Sequence, residues 1–147
     1  MSRWRGKALE MLPELKTGIQ TAETPYLLWF EMLAALKDAY VTPRNESLLR
    51  RIYLYADWCW RQPAQKDIDL SNCVAVSFYE HLVDYAEIRL DLPRWISEHK
   101  FQALESLFRM RLESDDLDAL KLHHARNWRM YQPDLAEHPG GKDRGVK

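Results

Sequence analysis

The chain has 147 residues, 46% of them hydrophobic and 12% aromatic, enough for one substantial core. With 29% charged residues and a formal net charge of −1, it offers no global attraction for nucleic acid or an anionic membrane surface. Its two cysteines, Cys59 and Cys73, form neither a disulfide framework nor a CxxC pair, and no apolar run approaches the roughly 20 residues that span a bilayer. A reduced, cytoplasmic protein is therefore expected.

The opening "MSRWRGKALEMLPELK" lacks an unbroken apolar stretch and a small-residue cleavage site, so it does not read as a signal peptide. It begins a helical segment over about 3–21, with Trp4, Ala8, Met11, Leu12, Leu15 and Ile19 on one stripe. Pro13 falls inside, and the stripe keeps its register across it, which predicts a kink or two abutting helices. Thr24-Pro25 supplies an N-cap and a proline at the first helical position. The helix that follows, about 25–41, is apolar nearly all round, with few polar residues: Glu31 and Asp38 on one narrow stripe and Lys37 apart from them. That pattern predicts the enclosed central helix of a bundle.

Asn45 caps a third helix over about 46–62, which stops before Pro63. Asp69 or Ser71 caps a fourth over about 71–84. A short piece, "YAEIRLDL", is expected to end at Pro93. Ser97 caps a fifth helix over about 98–112, and Ser114 a sixth over about 115–131, with Asp115 and Asp116 well placed in its first turn. Strand-type alternation is missing, and "QPDLAEHPGGKDRGVK" reads as a flexible tail. The expectation is an all-α protein: one domain over 1–131, a bundle or short antiparallel helix-pair stack of five to seven helices around helix 25–41, followed by a tail over 132–147.

The third helix contains "YADWCW". Stepping 100° per residue puts Leu48, Leu49, Ile52, Tyr55, Ala56, Cys59 and Trp60 on one broad face, with Arg50, Asp57 and Arg61 opposite. Trp58 lies off the core face, above Leu54 and flanked by arginines. Either another segment folds over it, or Leu54, Trp58, Arg50, Arg51 and Arg61 form an interaction patch, since Trp and Arg are the enriched hot-spot types.

Chemistry is harder to place. On the fourth helix Cys73, Ser77, Glu80 and Asp84 form a polar stripe, with His81 at its edge. Cys73 and His81 stand roughly 12 Å apart along the axis, too far for a thiolate–imidazolium pair. The adjacent rings of His123 and His124 diverge by about 100° and cannot chelate one ion from a single helix face, and HExxH spacing is missing. No metal and no cofactor is expected. His124 is the only polar side chain on the stripe of Leu117, Leu120, Trp128 and Tyr131, a placement that predicts a neutral ring bonded to a neighbouring helix. The enzyme alternative is a small-molecule or metal pocket near Glu80, His81 and His124, with Trp58 as a further lining residue.

Four segments, "LPELK…TPYLLWFEML", "RRIYLYADWCW", "VAVSFYEHL" and "LPRWIS", together resemble a family of small, all-helical bacterial proteins of unknown function, over roughly residues 8–120. The resemblance implies a cytoplasmic helical domain and transfers no catalytic residue. Immunity proteins against bacterial toxins are an analogy of size and texture. The function expected first is a non-enzymatic protein-interaction module, immunity-like in type, that binds a protein partner or a second copy of itself, with no nucleic acid and no membrane involved.

Overall fold

In a computed structural model of the protein, the described residues are 1–131. Their regular secondary structure is all helical, with no strand among the described residues. The tail expected over 132–147, and His138 within it, lie outside the described residues. The chain divides into two compact units, Met1–Phe78 and Tyr79–Lys147.

The first unit begins with α1 (Arg3–Met11). Pro13 ends that helix, as its missing N–H and ring dictate, and opens a single 3₁₀ turn over Pro13–Leu15 before α2 (Lys16–Thr21). The apolar register survives the break: Trp4, Ala8, Leu12 and Ile19 are all buried. The Thr24 hydroxyl accepts from Leu27 N at 3.2 Å and starts α3 (Pro25–Tyr40), with Pro25 in the first turn. The Asn45 side chain accepts from Leu48 N at 3.1 Å and starts α4 (Glu46–Trp60). Asp69, of the two candidates, caps α5 (Leu70–Val74) through Asn72 N at 3.0 Å.

Helix α3 packs on α2, α4 and α5, and is central to this unit in that sense. Its indole at Trp29 is fully buried between Tyr55 (5.4 Å between ring centres, 24° between planes) and Phe78 (4.8 Å, 41°). Tyr55 stacks in turn on Trp58 at 6.0 Å and 12°, so one aromatic column runs from the core to the edge of α4. The column is pinned by polar tips. Tyr55 Oη donates to the Trp4 carbonyl at 2.8 Å, and the Tyr40 and Tyr53 hydroxyls meet at 2.9 Å.

Burial of α3 is one-sided, contrary to the all-round enclosure its composition predicts. Leu28, Trp29, Met32, Leu36, Ala39 and Tyr40 face the core, while Tyr26, Leu27 and Phe30 remain 42%, 44% and 56% exposed. Among the described residues, packing against α2, α4 and α5 leaves these three side chains partly uncovered, and an apolar residue count cannot tell which side stays open.

The fourth helix departs from its predicted phase. A π-helical turn over Ala75–Tyr79 joins α5 to α6 (Glu80–Leu82). Its wider turn breaks the 100° step on which the polar stripe was drawn. Ser77, expected on a solvated face, lies inside that turn and is buried; Cys73, before it on α5, is buried as well, and only Asp84 of that stripe is exposed.

The second unit contains α6, α7 (Ala86–Trp95), α8 (Glu98–Arg109), α9 (Ser114–Asn127) and a closing 3₁₀ turn, Trp128–Tyr131. Pro93 does not end α7 but sits in its last turn. So near the end a proline forfeits a single backbone bond, and Ile96 N still reaches the Leu92 carbonyl at 2.9 Å. The Ser97 hydroxyl caps α8 through Lys100 N at 3.2 Å. Ser114, expected as the cap of the last helix, is instead its first residue; Glu113 holds the cap position without a side-chain bond. Helix α9 packs on α7 and α8, burying Leu117, Leu120 and His124.

Candidate functional site

Three places merit description, beginning with the tryptophan patch. Leu54, Trp58, Arg50, Arg51 and Arg61 are all half-buried on α4. Two of the arginines hold carboxylates of their own chain. Arg51 makes a bidentate pair with Glu14 at 2.7 and 2.6 Å and also donates to the Met11 carbonyl at 3.1 Å. That guanidinium lowers the Glu14 carboxyl to a pKa of about 2. Arg61 Nε lies 2.6 Å from Asp57, which is 6% exposed despite its expected place on the solvent side. Burial there is tolerated because the partner one turn on carries the opposite charge.

Trp58 itself is approached by α1. The Arg3 guanidinium lies over its ring at 5.6 Å, and the Gln62 amide donates to its backbone carbonyl at 2.9 Å. Beside the indole is a cavity of about 210 Å³ formed by Ser2, Arg3 and Trp4 at one end and by Gln62, Pro63, Gln65, Ile68 and Leu70 at the other. Trp58 is half-buried, at the edge of the core. Sequence pattern could not give the α1 residues that meet it, which lie more than fifty positions away in the chain.

The second place is the alternative pocket. Glu80 and His81 do share a neighbourhood. Arg111 makes a two-pronged pair with Asp84 and approaches Glu80 at 3.8 Å, while His81 Nδ1 stands 3.8 Å from Asp84. This is a half-exposed ion cluster that ties the end of α6 to the residues after α8. His124 has a different setting. Its ring is buried, stacks on Phe101 at 4.3 Å and 28°, and its Nε2–H donates to the Ile96 carbonyl at 2.7 Å. Burial shifts its pKa below the usual histidine value, so the ring is neutral at pH 7. Lys100, also buried, donates to the Tyr79 hydroxyl at 3.1 Å. Among the described residues no group of three or more His, Cys, Asp or Glu side chains has a metal-holding arrangement.

The third place was missed in the sequence. Tyr26, Leu27 and Phe30 form the exposed flank of α3, continued by half-buried Leu33 and exposed Ala34. Between this flank and α2 lie two open hollows of about 400 and 300 Å³ that share Glu31. Their floor is apolar, built from Ala22, Leu27 and Phe30 in one and Leu15, Ile19 and Met32 in the other. Their charged lining is Glu14, Glu31 and Asp38, all acidic. The Glu31 side chain lies against Gly18, its carboxyl carbon 3.5 Å from where a Cβ would stand. The signal available was the Glu31/Asp38 stripe, which marks one edge of the wet side.

No helix among the described residues is long and apolar enough to cross a membrane. A family model, Domain of unknown function (DUF7674), matches residues 6–111. No curated protein and no solved structure matches the chain. The chain belongs to the DUF7674 family.

Proposed function

We propose that this member of the DUF7674 family is a non-enzymatic protein-interaction module that docks a partner on the uncovered flank of α3. The observation that carries the reading is the contiguous exposure of Tyr26, Leu27 and Phe30 on a helix whose opposite side is the core of its unit. Large apolar side chains left together in water mark contact surfaces. The charged residues of the adjoining hollows are all acidic, so the complementary partner is a basic, amphipathic segment, its apolar side on Leu27 and Phe30 and its cations toward Glu31 and Asp38. The patch around Leu54, Trp58, Arg50, Arg51 and Arg61 is the weaker candidate, since two of its guanidiniums already hold carboxylates. The alternative pocket near Glu80, His81 and His124 is weaker still as an enzyme site, because each side chain has a structural neighbour to satisfy. Two buried, unpaired thiols fit a reducing compartment, so the reading includes a cytoplasmic, bacterial setting and an immunity-like role.

The test is a photoreactive amino acid placed at Phe30 in the source cell, with exposed His99 as the control position. Crosslinks to a basic protein from position 30, lost when Glu31→Lys and Asp38→Lys are added, support the reading. No crosslink, or the same crosslinks from both positions, overturns it.

A further inference from the structure

The cavity beside Trp58 has features that the proposed partner surface does not use. Its walls are largely apolar, Trp58, Trp4, Pro63, Ile68 and Leu70, with Gln62 and Gln65 also lining it. Arg3 stands at its rim with its guanidinium over the indole, and no carboxylate is among the lining residues. Ser2 also lines it, and the Ser2 Oγ is buried with no hydrogen-bond partner among the described residues. Ser2 occupies the N-cap position of α1, yet its side chain makes no capping bond, and the first turn has no acidic residue. A nine-residue helix therefore directs its positive end, with uncapped N–H groups, toward the same residues.

Arg3, the Ser2 hydroxyl and the uncapped first turn of α1 each present donors that one anion can satisfy together. The apolar walls ask for a flat hydrophobic body against the indole. We infer that the Trp58 cavity binds a small aromatic carboxylate, its ring against Trp58 and its carboxylate held by Arg3, Ser2 Oγ and the first turn of α1. The volume, about 210 Å³, lies below the roughly 300–1,000 Å³ of pockets that take drug-sized ligands, so the occupant is small. A free aromatic acid and the C-terminal residue of a polypeptide present this chemistry equally.

The experiment is calorimetric titration of the full chain with phenylacetate, phenylacetamide, and an acetylated tripeptide ending in phenylalanine, as acid and as amide. Saturable binding of an acid, with its amide at least about tenfold weaker, is expected. Phenylacetate binding identifies a free acid as sufficient; binding of the peptide acid alone supports the same site with a chain end as its source. Arg3→Gln, at an exposed position, is expected to leave the fold intact and remove the preference for the acid. Trp58→Phe keeps a ring in the wall and is expected to retain weakened binding. Equal binding of acid and amide, acid binding indifferent to Arg3→Gln, or no saturable binding of any probe overturns the inference. The Leu27→Ser/Phe30→Ser variant leaves this cavity untouched, so failure here is distinguishable from failure of the α3 surface.

Discussion

At the scale of single residues, His124 shows how a polar group is made structural. Its neutral ring fills a place in an apolar stripe, and the one donor it keeps satisfies the Ile96 carbonyl. Removing that donor leaves a buried acceptor unpaired, so His124→Phe is expected to cost about 1–3 kcal/mol in urea unfolding at pH 7.5. Its pKa is lowered on folding, mainly by burial. The unfolded chain therefore takes up a proton near the ordinary value of about 6.5 while the folded chain does not. Stability is fully present above that pH and falls as pH drops below it toward the folded pKa; the variant should show a flatter profile between pH 7.5 and 5. Glu14 titrates lower. Arg51 holds its folded pKa near 2, so its contribution is present above about 4.5 and lost as pH falls through the folded value. Both side chains are partly solvated, which screens the pair, and Glu14→Gln should cost no more than about 1 kcal/mol at pH 7, with the difference gone near pH 2.

At the scale of elements, α3 has two unlike sides. Trp29 sits inside an aromatic column, and Trp29→Ala is expected to cost about 3–5 kcal/mol, measured by chemical unfolding. Helix ends were well legible in the sequence: Thr24, Asn45 and Ser97 cap the helices they were expected to cap, because capping depends on a few adjacent residues. The proline at 13 and the one at 93 show the limit of that local logic. The first breaks a helix in mid-course, whereas the second stands where α7 was about to end and costs it little. Phase along the fourth helix was not legible, because the π turn at Ala75–Tyr79 has no marker in a 3.6-residue pattern. Ser77, inside that turn, was misplaced for that reason.

At the scale of the whole molecule, apolar periodicity was enough for the all-helical class and for many core positions. It was not enough for the surfaces, which depend on contacts between residues far apart in the chain. Arg3 over Trp58, Glu14 on Arg51 and the hollows between α2 and α3 are of that kind. The two thiols follow from the same packing. Burial pushes both Cys59 and Cys73 above the ordinary thiol pKa, so neither should react with a disulfide reagent in the native protein, and both should react on unfolding. The central claim is that the wet flank of α3 serves recognition and not the chain's own stability. Its most direct test is the urea-unfolding free energy of the Leu27→Ser/Phe30→Ser variant. The account predicts a value within about 0.5 kcal/mol of wild type for each substitution; a joint loss of about 3 kcal/mol or more, the scale of a buried Leu or Phe, would contradict it.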